Sequence, residues 1–217
     1  MKILALEFSS ARRTVAVGGS NGAHSRPLED GARQREPFEV IEEVLREAAL
    51  LREEIRCIAV GLGPGSYTGV RLAIAIAQGW ELALGVRLLG ISSAEAIARE
   101  AQAAKIFGLA TVVIDAQRGE LYRARYEIDA DDVVEREPMR IATLDEVRAL
   151  ERAGEPIVGP EATSWFASAQ PLFPSATALL LLAARRCEFI PGEELEPIYL
   201  RETRFVKAAP PRVIPAV

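Results

Sequence analysis

Histidine is nearly missing from this chain. Its 217 residues hold one, His24, in the turn-like context Gly22-Ala23-His24-Ser25. A zinc site built on two histidines is therefore excluded, and two cysteines do not complete a ligand set. A Ser-His-Asp triad would have to use His24, a solvated loop residue on this reading. Cys57 and Cys187 lie far apart without CxxC or metal spacing, and Cys57 sits in an apolar run as a small core residue. This scarcity fits a reducing cytoplasm. Lysine is scarce too: 3 of the 26 basic residues are Lys. The net charge of −5 supplies no overall basic field for nucleic acid. Long apolar runs are lacking. Met1 to Leu6 meets Glu7 before any signal-length stretch, and no run is long enough to span a bilayer.

Hydrophobic residues make up 49%, enough for a sizeable core in one large domain or two small lobes. Ile3 to Leu6 reads as a buried strand. Arg13 to Gly18 reads as its hairpin partner, with Gly18-Gly19 and Asn21-Gly22 as turn signals and a weaker third strand near 23–27. From Pro37 to Leu50 the period is helical. Phe38, Ile41, Val44, Leu45 and Ala48 form one face of that helix. Arg56 to Gly61 is a strand, and a helix runs from about 68 to 84. Arg87 to Ile91 follows, and Ser92-Ser93-Ala94-Glu95 has the form of a capping box opening a helix to about Ala104. The pattern then restarts. Leu109 to Asp115 and Glu120 to Ile128 are strands about a Gln117-Arg118-Gly119 turn, and Asp131 to Ile141 is a third strand. Thr143 begins a short helix, Pro156 to Gly159 is a strand, and Ala176 to Glu188 is the last helix. The expected division is a first lobe at 1–104, a second at 105–207 and a loose Pro-rich tail at 208–217.

Between strand and helix lies Gly61-Leu62-Gly63-Pro64-Gly65-Ser66-Tyr67-Thr68-Gly69-Val70-Arg71. Glycine permits positive φ and close approach, Pro64 fixes one φ, and Ser66 or Thr68 can cap the helix. The remaining N–H groups would then point outward at a helix N-terminus, so Gly63, Gly65, Ser66, Thr68 and Gly69, with Glu7 and Asp115, are the candidate anion or nucleotide site. Each half of the chain also opens with a strand ending in an acid, Glu7 and Asp115. Two-lobed proteins of the actin, sugar-kinase and Hsp70 type place such acids at an interlobe cleft. The alternative is that each acid only caps a hairpin turn.

These segments, together with Ala77-Gln78-Gly79, Ile114-Asp115-Ala116, Gly119-Glu120-Leu121-Tyr122 and Glu196-Pro197-Ile198-Tyr199-Leu200-Arg201, resemble the TsaB (YeaZ) family in order and over nearly the whole chain. The resemblance implies an α/β, two-lobed actin-like fold (ASKHA, ribonuclease H-like) with a degenerate interlobe nucleotide cleft. It implies a non-catalytic dimerisation subunit that helps TsaD and the ATPase TsaE to make threonylcarbamoyladenosine beside the anticodon of tRNA. The paired-histidine metal motif of TsaD-type proteins falls on Arg33-Gln34-Arg35-Glu36-Pro37-Phe38-Glu39, which has no histidine. The first hairpin turn, Glu7-Phe8-Ser9-Ser10-Ala11-Arg12, has no glycine to cradle phosphate, and Arg118 stands one place later than the arginine of many relatives. No peptidase constellation is present. No cofactor is expected for this subunit beyond a weakly bound nucleotide.

The long helix has only a narrow polar stripe of Arg71, Gln78 and Glu81, with Ala75 and Leu82 among them. Such a helix is buried on more than one side: as a central core helix, or against a partner. Ala73, Ala77 and Gly79 would allow close helix approach. The expected interface comprises Phe38, Ile41, Leu45, Val70, Ala73, Ile74, Ala77, Gln78 and Glu81. It would join TsaD, or a second copy when TsaD is absent. Two alternatives differ in kind: a stand-alone ATPase or small-molecule kinase, and direct tRNA binding through a patch of Arg12, Arg13, Arg33 and Arg35, for which charge scattered over solvated loops is the commoner explanation.

Overall fold

The computed structural model describes residues 1–19, 22–30 and 33–200; Asn21 of the expected turn signal, Arg201 and the expected tail lie outside them. The first sheet runs β3-β2-β1-β6-β7, where β1 is Ile3–Glu7, β2 Thr14–Gly19, β3 Gly22–Pro27, β6 Cys57–Gly61 and β7 Arg87–Ile91. The two-residue strands β4 (Glu29–Asp30) and β5 (Arg33–Gln34) pair with each other. β1 is antiparallel to β2 and parallel to β6. The second sheet repeats the plan as β10-β9-β8-β11-β12. Its strands are β8 Gly108–Asp115, β9 Glu120–Ile128, β10 Val133–Thr143, β11 Ile157–Gly159 and β12 Gln170–Pro171. Both sheets thus place a hairpin strand beside a central strand that meets a parallel partner, the two-lobed actin-like plan.

Apart from the terminal Glu7, β1 and β6 are apolar because both faces are covered. Leu4, Leu6, Ile58 and Val60 face the helices α1 (Pro37–Glu47) and α2 (Tyr67–Leu84). Ile3, Ala5, Cys57 and Ala59 face α5 (Ala176–Ala183), and the small residues let that helix sit close. Burial pushes the Cys57 thiol up to about 11, as suits an inert core residue. His24 lies within β3, half-buried, with Nδ1 3.9 Å from Glu47 rather than in a free loop.

The lobes exchange helices. α3 (Ser93–Ala103) follows the first sheet yet packs Ala94, Ile97, Ala98 and Ala101 on the second. α5 comes from the second half and covers the first sheet. A boundary at 104 therefore cuts behind a helix that belongs by packing to the second lobe. α4 (Leu144–Arg152) opens with a Thr143–Glu146 capping box. The box expected at Ser92 does not form. Ser92 precedes α3 but its side chain makes no cap bond; its hydroxyl goes to Tyr126, and Glu95 is drawn to Arg186. The last helix ends at Ala183, short of 188, and Arg186 turns back to Glu95. Where the first lobe has the 18-residue α2, the second has only a 3-10 turn, Ala162–Ser164.

Candidate functional site

The glycine-rich segment folds down onto the first hairpin turn. Ser66 caps α2, its Oγ accepting from Gly69 N–H at 3.3 Å, and the Gly63–Pro64 bond is cis. Ser66 N–H donates to the Ser9 carbonyl at 2.6 Å. A Cβ on Gly65 would stand 2.1 Å from the Ser9 carbonyl oxygen, and one on Gly69 2.0 Å from that of Phe8. The glycines are there for backbone-to-backbone contact. Gly63 N–H is also spent, on Ser93 Oγ at 3.1 Å. Three of the donors offered to an anion, on Gly63, Ser66 and Gly69, thus already have partners inside the fold.

Glu7 does not reach the cleft. It is fully buried beneath Gly61, whose Cβ would lie 2.0 Å from its Oε2. Oε1 accepts from Ser9 N–H at 2.8 Å and Oε2 from the Ser93 hydroxyl at 2.9 Å. As an anion-site residue Glu7 is corrected: a sealed carboxylate presents nothing to a ligand. Burial raises its pKa, outweighing the hydrogen bonds from Ser9 and Ser93. The folded chain therefore keeps a proton that the unfolded chain releases. The stability this supplies is complete below the ordinary carboxylate value and is lost as pH rises through the raised one. Glu7→Gln removes that dependence. Urea titrations across pH should show the variant gaining on the parent as pH rises; a pH-independent difference would contradict the assignment.

Between the lobes lies a cleft of about 650 Å³. Ser9, Ser10, Gly65, Ser66 and Thr68 line one wall; Asp115 and Glu161 line the other. Asp115 is exposed there, with Oδ1 accepting from Gln117 N–H at 2.7 Å across a turn where Gln117 and Arg118 both have positive φ. Burial and the Asp115 charge raise the Glu161 carboxyl. Arg13, at the first hairpin, is paired with Glu29. An arriving phosphate would meet two carboxyl groups on the second wall. Sequence reasoning missed Glu161, for which no motif gives a signal; it is brought beside Asp115 by the parallel pairing of β11 with β8.

Six residues of the expected interface are corrected by burial. Ile41, Leu45, Val70, Ala73, Ile74 and Ala77 are all at most 6% exposed and form the subunit's own core. Gln78 and Glu81 are turned to the chain's own C-terminal segment. Gln78 Nε2 donates to the Gly192 carbonyl at 2.7 Å, and Gly192 N–H donates to Glu81 Oε2 at 2.9 Å. That segment continues along the helix. Ile198 N–H donates to the Leu62 carbonyl, and Tyr199 lies 5.8 Å from Tyr67, whose ring also carries the Arg71 guanidinium at 4.4 Å. Gln78 and Glu81 are therefore partly covered by this strap, while Arg71 stays exposed beside Tyr67 and Tyr199.

Among the described residues, the side of α2 left bare is apolar. Leu72, Ala75, Gly79, Leu82 and Ala83 are exposed, Leu82 to 91%. Spacings of three and four residues align them in one stripe. Phe38 of α1, 54% exposed, is the one expected contact that stays outside the core on that helix. Ala75 and Leu82 were readable as the apolar breaks in the polar stripe; only the strap over Gln78 and Glu81 shows that the breaks face out.

Comparison with known proteins gives a consistent family. Residues 34–158 match the family model described as TsaD: tRNA N6-adenosine threonylcarbamoyltransferase. The chain is similar to the tRNA threonylcarbamoyladenosine biosynthesis protein TsaB of Escherichia coli (strain K12), 28% identical over 97% of this chain and 99% of that one. An uncharacterized protein of Mycobacterium tuberculosis is 35% identical over 72% of this chain and 69% of its own. The structure of YeaZ from Pseudomonas aeruginosa superposes with a TM-score of 0.80 at 26% identity, covering 92% of this chain and 99% of that one. With the repeated sheet order, the glycine segment and these matches together, the chain belongs to the TsaB/YeaZ family of tRNA threonylcarbamoyladenosine biosynthesis proteins.

Proposed function

We propose that this chain is the non-catalytic partner subunit in transfer of threonylcarbamoyl to the adenosine beside the tRNA anticodon, pairing with TsaD and working with TsaE in the cytoplasm. The observation that carries this is the bare apolar stripe of α2, in a chain whose residues 34–158 match the TsaD family model. A TsaD-type partner has the counterpart of this segment, so its helices can meet α1 and α2 in a quasi-two-fold, four-helix contact. A standard interface of about 1,600 Å² would cover the stripe. The same face joins two copies when TsaD is absent. The tRNA is held through the complex, since a chain of net charge −5 supplies little counterion release of its own. Catalysis is left to the partners: Glu7 is sealed, and Asp115 and Glu161 oppose a phosphate in the cleft, so this subunit requires no cofactor and holds nucleotide weakly.

Reconstitution tests this reading. Mixed with TsaD, TsaE, tRNA and threonylcarbamoyl-adenylate, the chain is expected to support modification that stops when it or TsaD is omitted, and to show no activity alone. ATP hydrolysis or small-molecule phosphorylation by the isolated chain would establish the stand-alone kinase or ATPase instead.

A further inference from the structure

The buried Glu7 sits where three segments meet. The first is the end of β1, through Ser9 N–H on Oε1. The second is the glycine turn that launches α2, because Gly61 leaves the space that Oε2 fills. The third is Ser93, the first residue of α3, whose hydroxyl donates to Oε2 at 2.9 Å. Ser93 is doubly engaged with the turn, accepting from Gly63 N–H at 3.1 Å through Oγ and donating its own N–H to the Gly63 carbonyl at 2.9 Å.

The position of this cluster gives it meaning. The chain crosses from the first sheet to the second lobe between Ile91 and Ser93, and α3 then forms the apolar centre of that lobe with Ile97, Ala98 and Ala101. The return crossing lies at Phe173 to Ala176. There Ala176 N–H donates to Thr14 Oγ1 at 2.8 Å and Arg12 stacks on Phe173 at 4.0 Å. Apolar packing is non-directional, and α3 could rotate on its Ala-rich face at little cost. The Glu7–Ser93–Gly63 hydrogen bonds have fixed directions, and breaking them would strand buried polar groups. A carboxyl group kept at full burial against its desolvation cost, and offering nothing to a ligand, is what such a joint requires.

We propose that Glu7 is a positioning residue, the latch that fixes the angle between the lobes by holding the start of α3 on the glycine turn that starts α2. It acts through Ser93, whose hydroxyl is the one group bonded to both Glu7 and Gly63. This inference is independent of the partner assignment and concerns the free chain.

The test is the inter-lobe distance. Spin labels at Ala23, on the face of β3 away from α1 and α2, and at Arg148 on α4, both exposed, in a Cys187→Ser background diluted with unlabelled chain, report it by pulsed electron resonance. The parent should give one narrow distribution. Ser93→Ala, which removes the shared hydroxyl, should at least double its width, while circular dichroism shows a folded chain. Glu7→Gln preserves volume and gives the same reading should Ser93→Ala fail to fold; it should broaden the distribution less, because its amide can still reach Ser93. Thr14→Ala at the other crossing should leave the width nearer the parent's than Ser93→Ala does. Unchanged width in a folded Ser93→Ala chain, or in Glu7→Gln where that chain does not fold, would overturn the latch. So would equal broadening by Thr14→Ala.

Discussion

Leu82→Glu should leave the free chain as stable as the parent and weaken its pairing with TsaD about 100-fold. Leu82 is 91% exposed on the bare stripe of α2. A charge there costs the monomer little, within about 0.5 kcal/mol for an exposed surface position. At an interface the same carboxylate is buried without a partner, which costs ~3 kcal/mol, or two orders of magnitude in affinity. Leu72→Glu should act in the same direction. Ala73→Glu would be uninformative, since Ala73 is fully buried in the subunit's own core and its replacement should unfold the chain. Titration calorimetry or sedimentation with TsaD, beside a denaturation curve, separates the cases. Parental affinity in a folded Leu82→Glu chain would remove the stripe from the interface.

Two glycines of the same helix should respond to alanine with opposite sign. In Gly69→Ala the new Cβ stands 2.0 Å from the Phe8 carbonyl oxygen. Backbone cannot yield as a side-chain tip can, so the turn must lift from the hairpin, and the loss should be on the order of 4 kcal/mol or prevent folding. At Gly79 nothing lies within 4 Å of an added Cβ. There the usual helix preference applies, and Gly79→Ala should stabilise by roughly 0.5–1 kcal/mol. Urea denaturation of the pair checks both. Parental stability in Gly69→Ala would refute the packing account of the motif, and destabilisation by Gly79→Ala would mean that an unseen contact lies over that face.

The contrast explains why the glycine segment misleads when read as sequence. Glycines near a helix start serve equally to admit a phosphate or to admit another stretch of backbone. The two uses differ only in what occupies the space, and here Phe8 and Ser9 occupy it. Glu7 shows the same ambiguity. An acid at the end of a central strand reads as a cleft residue or a turn cap; Glu7 does cap its turn through Ser9 N–H, and its second oxygen, bonded to Ser93, makes it a buried joint as well. Nothing local to Ile3–Glu7 indicates Ser93, which is 86 residues away in the chain.

The helices divide along similar lines. The polar residues Gln78 and Glu81 look outward by composition, yet they bind Gly192, and the apolar Leu72, Ala75 and Leu82 take the solvent side. Periodicity fixes which residues of α2 share a face but not which face is covered, because the covering strap comes from more than a hundred residues further along. The capping box at Ser92 fails for a like reason: the long-range partners Tyr126 and Arg186 compete for its side chains.

By itself the sequence determined the duplicated strand-helix plan, the apolar central strands ending in an acid, a start of α2 at Ser66 or Thr68, the Thr143 start of α4 and the family. The elements rest on local periodicity and turn chemistry, which act between near neighbours; the family rests on the resemblance of whole motifs in order along the chain. The exchange of α3 and α5 between lobes, the sealing of Glu7, the cleft wall of Asp115 and Glu161 and the outward face of α2 were decided by tertiary structure. Each depends on which distant segment fills a given space, and packing settles that only when the whole chain has folded.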